Sequence, residues 1–103
     1  MTRRSKDWNK DLAADLKNPA FAREFLLATI EEGIPLQRAL SKVIRAIGVK
    51  EFASEIDMAS PNLLRAIHPR HNPTQETLNR LLRPFQLKLS LTVIREPRSR
   101  HAA

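Results

Sequence analysis

The sequence predicts a single all-α domain of five helices, followed by one β-strand near the C-terminus. Its 103 residues fit one domain, and 42% of them are hydrophobic, which is enough to form a core. Apolar residues recur every three or four positions through most of the chain, which indicates amphipathic helices. From residue 87 they alternate instead, which indicates a strand. We therefore expect a mobile basic tail over residues 1–15, the folded domain over residues 16–94 and a basic tail over residues 95–103.

Caps, prolines and glycines indicate where the helices begin and end. The predicted helices cover residues 20–32, 35–47, 50–56, 61–67 and 74–85. Asn18 and Pro19 begin the first helix, because Asn caps free N–H groups and Pro fits the first turn. Gly33 and Gly48, the two glycines of the chain, follow the first and second helices as C-terminal stops. Thr74 is the expected cap of the last helix.

The predicted strand suggests a dimer. Its apolar residues, Leu87, Leu89, Leu91 and Val93, are separated by Lys88, Ser90 and Thr92. A lone strand leaves its backbone N–H and C=O groups unpaired, so we expect it to pair with a second chain. These four apolar residues are therefore candidates for the contact of a homodimer.

The charge of the chain favours a polyanionic partner. The formal net charge is +7 and the sequence pI is about 10.8. Residues 60–103 hold eight of the 18 Lys and Arg but two of the 11 Asp and Glu. Nucleic acid is the commonest polyanion for a small basic protein. The absence of an apolar run long enough for a membrane helix leads us to expect a cytoplasmic protein, and binding to DNA would place it at the nucleoid.

Enzymatic and metal chemistry find little support in the sequence. The chain has no cysteine, which excludes disulfides, thiol nucleophiles and Cys-ligated metals. His68 and His71 form an H-x-x-H pair without a nearby third ligand. Two isolated glycines cannot form a Gly-rich phosphate loop. We expect no catalytic residues, no cofactor and no metal site.

The most informative window runs from Val49 to His68. A helix-turn-helix needs a small residue where its two helices cross, and Ala53 is suitably placed. The segment Asp57-Met58-Ala59 has the length of its tight turn. Ser60 as N-cap and Pro61 in the first turn would begin the second helix.

This window resembles the Cro-type helix-turn-helix of phage repressors. The chain from about Leu16 to Ile94 is similar to the HigA-like addiction-module antidotes, in which an acidic helix end and a second helix precede the motif and a leucine-rich strand follows it. The resemblance implies a Cro/lambda-repressor-like fold and an operator-binding dimer. It also implies an antitoxin that neutralises a small RNA-cleaving toxin and represses their shared operon. Asp57 stands where the family usually has Gly, and Ala59 where a capping Ser is common. Asp tolerates the left-handed conformation better than most residues.

Eight residues are candidates for contacts with double-stranded DNA: Lys50, Ser60, Pro61, Asn62, Leu64, Arg65, Arg70 and Thr74. The second helix of the motif would place its N-terminal part against base edges in the major groove. There Asn62 suits adenine, Arg65 suits guanine or a phosphate, and Leu64 suits a thymine methyl. Lys50, Arg70 and the helix start at Thr74 suit phosphates.

Each assignment has a structural alternative. Ser60 would then only cap, Asn62 would only be solvated, Leu64 would pack internally and Arg65 would be a surface charge.

Three functions also stay open. They are an autoregulating antitoxin, a protein-binding antidote whose DNA binding is secondary or lost, and a stand-alone transcriptional regulator.

Overall fold

The computed structural model describes residues 12–94, and this part of the chain is helical, as predicted. A helical turn over residues 12–15 precedes five α-helices. These are α1 (Pro19–Glu31), α2 (Leu36–Ile47), α3 (Val49–Glu55), α4 (Ser60–Ala66) and α5 (Gln75–Leu82), followed by a 3-10 helix at Arg83–Phe85. The predicted tails, over residues 1–11 and 95–103, lie outside the described residues. Residues 12–15 are helical rather than part of a mobile tail, because Leu12 packs against the core and Leu16 is buried.

The helix ends follow the caps expected from the sequence. The side chain of Asn18 accepts hydrogen bonds from the N–H groups of Ala20 and Phe21, and Thr74 accepts one from Thr77. Gly33 has a φ of 91°, which ends α1 in the left-handed region where glycine has no Cβ penalty. The N–H of the next residue, Ile34, then reaches back to the Thr29 carbonyl at 3.0 Å, which completes a Schellman motif.

One hydrophobic core joins all the helices. Its largest buried side chains include Phe52, Phe85, Leu26, Leu40, Ile44, Leu63 and Leu81. The rings of Phe52 and Phe85 stack with their centroids 5.9 Å apart, which fixes α3 against the 3-10 helix. The core therefore holds α3 and α4 from the inside and leaves one face of α4 in solvent.

The predicted β-strand is wrong, since the described residues 87–94 contain no strand. A ladder needs a neighbouring strand, and the rest of the described chain is helices and their connections. Leu87 and Leu89 instead pack partly against the core, and the Leu89 N–H donates to the side-chain oxygen of Asn79 at 2.7 Å. Beyond them, the side chains of Leu91, Val93 and Ile94 are exposed.

None of the helices over residues 12–94 has the length and apolarity needed to cross a bilayer.

Candidate nucleic-acid interface

A tight turn at Asp57 joins α3 to α4. Asp57 has a φ of 56°, so this residue takes the left-handed conformation expected at the position where the resembling family has Gly. The N–H of Asp57 donates to the carbonyl of Ser54 at 3.2 Å, and that of Met58 donates to the carbonyl of Ala53 at 2.9 Å. Together these two bonds form a Schellman motif that ends α3 and sends the chain directly into α4.

The start of α4 differs from the prediction. Ala59 has extended backbone angles (φ −68°, ψ 140°), and its carbonyl accepts the first helical hydrogen bond, from the Leu63 N–H at 3.0 Å. The cap is therefore Ala59, and Ser60 is the first residue of the helix with no capping bond from its side chain. The prediction that Ser60 caps α4 is wrong because the helix begins one residue earlier than the Ser-Pro pair suggested.

The two faces of α4 have different environments. Its inner face and the residue after the helix are buried: Leu63, Ala66 and Ile67. Its outer face is exposed: Pro61, Asn62, Leu64 and Arg65. Leu64 is 39% exposed, so it does not pack inside the core. Four of the candidate DNA-binding residues therefore share the solvent face of one short helix.

Three of the candidate residues come together around one open depression of about 340 Å³. Asn62 and Arg65 line it from α4, and Thr74 lines it from the start of α5. Asn72 and Arg80 also line it. The other five candidates do not line this depression: Lys50, Ser60, Pro61, Leu64 and Arg70.

Charge is distributed unequally over the two helices of this region. Residues 49–57 carry Lys50 and three acidic residues, whereas residues 60–74 carry Arg65 and Arg70 and no Asp or Glu. Lys50, Arg65 and Arg70 are all exposed. The loop after α4 is folded locally, because the Arg70 N–H donates to the Nδ1 atom of His68 at 3.1 Å. The positive surface therefore follows α4 and its loop.

Two residues that sequence reasoning missed hold this region in place. Arg80 of α5 donates from Nη2 to the carbonyl oxygens of Ile56 and Asp57, each at 2.9 Å. Gln37 of α2 donates from Nε2 to three carbonyl oxygens after α4, those of Ala66 (2.9 Å), His68 (3.1 Å) and His71 (3.0 Å). All five acceptors are backbone atoms, so no complementary side chain in the sequence could indicate either contact.

His68 and His71 are both exposed in the loop after α4. Within residues 12–94, no group of three or more His, Cys, Asp or Glu side chains is placed to bind a metal ion.

Comparison with protein families places the chain among antidote proteins. A family model described as "Probable addiction module antidote protein" matches residues 8–93. The chain belongs to this family. The match spans all five helices of the antidote, and membership implies that a toxin is one of its partners. Comparisons with curated proteins and with solved structures gave no match.

Proposed function

We propose that this antidote is also a DNA-binding repressor, in which α3 and α4 form a Cro-type helix-turn-helix that binds the operator of the antidote and toxin genes. The observation that carries the proposal is that α4 is held rigidly by the core and the preceding turn while its outer face is exposed to solvent. Its inner face is fixed in the core, its start is fixed by the Schellman turn at Asp57, and its outer face is exposed. That combination is what a helix needs to enter the major groove without losing its own packing.

The dimensions and side chains of α4 suit the major groove. Seven residues form a helix about 10 Å long, and the groove is about 12 Å wide. Asn62 would pair with adenine, Arg65 with guanine and Leu64 with a thymine methyl. The Ser60 hydroxyl makes no capping bond and would be available to DNA.

Contacts to phosphates would position the helix. Lys50 and Arg70 are exposed cations on either side of α4 in the sequence. Thr74 begins α5 beside Asn62 and Arg65 in the same depression, where backbone N–H groups favour phosphate oxygens. Pro61 completes the approach surface at the first turn of α4.

The repressor would act as a homodimer. Two recognition helices read successive major grooves when they lie about 34–36 Å apart. Leu87 and Leu89 are partly buried because they pack against the core of their own chain. Leu91, Val93 and Ile94 are exposed, and their segment is not paired as a strand within residues 12–94. We therefore propose that the exposed residues 91–94 supply the dimer contact.

The second part of the proposed function is neutralisation of the toxin, a small RNA-cleaving protein. We assign the antidote no enzymatic activity and no cofactor of its own, and we place it in the cytoplasm at the nucleoid. The family match favours this function over a stand-alone regulator.

DNA binding is tested with a labelled fragment from upstream of the operon, measured by fluorescence anisotropy. The wild-type chain should bind this fragment at least about 1,000-fold more tightly than unrelated DNA at the same salt concentration. Arg65→Ala should weaken operator binding about 5- to 150-fold. Arg45→Ala, which removes the same charge from the last turn of α2, is the matched control and should bind normally. Equal affinity for operator and unrelated DNA would refute the proposal.

Neutralisation is tested by growth. The reading frame adjacent to the gene is induced alone and together with this chain. Growth arrest that the chain relieves supports the antitoxin, and Arg65→Ala should still relieve it. Arrest without relief, or no arrest, would leave a stand-alone regulator.

A further inference from the structure

A second exposed surface lies on α1 and the segment after α5. Leu27 and Ile30 are 48% and 43% exposed, although both are large apolar side chains on an ordered helix. With Leu36, Leu87 and Leu89 they line an open apolar groove of about 370 Å³, which we call the α1 groove; Lys88 also lines it. A contiguous apolar surface of this kind marks an interaction site more often than scattered exposed leucines do.

The end of α1 beside this groove is acidic in a way that the fold does not explain. Glu31 is the last residue of α1 and Glu32 is its C-cap, and both are exposed. The C-terminus of a helix carries partial negative charge, so acidic residues there are unfavourable. The last turn of α1 has no basic residue, and neither glutamate makes a salt bridge within residues 12–94. A cationic partner would remove this repulsion.

We infer that the α1 groove and the acidic end formed by Glu31 and Glu32 bind the toxin, and that the toxin presents apolar side chains flanked by Lys and Arg. The inference rests on the proposed antidote function. An RNA-cleaving protein binds a polyanion and therefore carries a basic surface. That surface would be repelled by the net charge of +7 on this chain but attracted by the acidic end at Glu31 and Glu32. Occupying that surface would keep RNA away from the toxin.

Charge and position both favour the toxin over a second copy as the occupant. In a two-fold dimer centred on this groove, the same patch of both chains meets itself, which brings the two acidic ends toward each other. The groove is also separate from the proposed DNA surface, because α1 packs mainly on α2 and the 3-10 helix. One chain can therefore hold toxin and operator at the same time.

Two variants of the full chain test the inference against the purified product of the adjacent reading frame. Leu27→Asp places a charge in the groove, and the double variant Glu31→Lys with Glu32→Lys reverses the acidic end. Each should weaken binding to the toxin at least tenfold and abolish growth rescue. The double variant should melt no lower than wild type, because lysines suit a helix C-terminus. This keeps a folding defect distinct from a binding defect.

Matched controls come from the other surface. Leu64→Asp charges an exposed leucine of α4, and Glu55→Lys reverses an exposed glutamate at the end of α3. Both should bind and neutralise the toxin normally, while Leu64→Asp should lose operator binding.

Three outcomes would overturn the inference. If both α1 variants bind the toxin normally, then the toxin binds elsewhere on the chain, and the proposed antidote function is unaffected. If the α1 variants sediment as monomers where the wild-type chain sediments as a dimer, and they still bind the toxin, then the α1 groove is a homodimer contact. If the wild-type chain neither binds the toxin nor rescues growth, the proposed antidote function fails and the inference fails with it.

Discussion

Arg80 donates hydrogen bonds from one guanidinium nitrogen to the carbonyl oxygens of both Ile56 and Asp57, each at 2.9 Å. These two residues form the end of α3 and the start of the turn into α4. Both bonds are charge-assisted, and the bond to Ile56 is also partly buried, whereas the bond to Asp57 is exposed. Arg80 therefore ties α5 to the turn that sets the direction of α4.

Replacing Arg80 with Met should loosen this turn while keeping the apolar stem of the side chain. We expect a loss of about 1–3 kcal/mol in the free energy of unfolding, because two backbone acceptors lose a charged donor. Urea denaturation followed by circular dichroism measures the change. Arg83→Met is the matched control, since Arg83 is an exposed arginine three residues later in the chain. Equal stability of the two variants would mean that the Arg80 bonds contribute nothing net.

Replacing Asp57 with Gly should stabilise the protein. Asp57 has a φ of 56°, and this backbone conformation is higher in free energy for an L-residue than for glycine. Glycine offsets part of that gain because its backbone loses more entropy on folding. We expect a net gain of about 0.5–1 kcal/mol, which raises Tm by about 2–8 °C in a domain of this size.

Asp57→Asn is the control for charge, because Asn and Gly both remove the carboxylate but only Gly removes the Cβ. Thermal melting should therefore rank Gly above Asn. A glycine variant that melts below wild type would show that the Asp57 side chain makes a stabilising contact in solution.

The helical part of the fold could be predicted because its signals are local. The side chains of Asn18 and Thr74 cap helix N-termini, as predicted. Gly33 ends α1 with a positive φ, also as predicted, and each of these features depends on the residue at the helix end itself. The left-handed turn at Asp57 is equally local, because the six consecutive residues from Ala53 to Met58 close it.

The errors have non-local causes. The alternation from Leu87 onward is real, but a strand also needs a neighbour, and the described chain offers none. Ser60 looks like a cap because Pro61 follows it, yet the helix extends back to Ala59. Arg80 and Gln37 contact backbone carbonyls 23 to 34 residues away, which no local pattern encodes.

Gln37 offers a third test, at the other end of α4. Gln37→Met removes the amide that donates to the carbonyls of Ala66, His68 and His71 and keeps a side chain of similar length. We expect a loss of about 1 kcal/mol in the free energy of unfolding, since the carbonyls of His68 and His71 are accessible to water.

Hydrogen exchange of the amides in residues 66–71 should also become faster in Gln37→Met than in wild type, because the loop loses its anchor. Gln75→Met, at an exposed position in the first turn of α5, is the control. Unchanged exchange in the Gln37 variant would show that the loop holds its shape without the amide.

The last prediction separates base contacts from phosphate contacts in the proposed operator complex. Each phosphate contact contributes about 0.9 to the slope of log affinity against log salt concentration. Arg70→Ala should therefore reduce the slope by about one and weaken operator and unrelated DNA equally. Arg65→Ala should weaken the operator far more than unrelated DNA, because a base contact carries sequence information. Arg45→Ala should change neither quantity. Titrations at 50 to 200 mM salt with both DNAs measure all three variants. If Arg65→Ala and Arg70→Ala lower both affinities by the same factor, then Arg65 contacts a phosphate and α4 reads its operator through other residues.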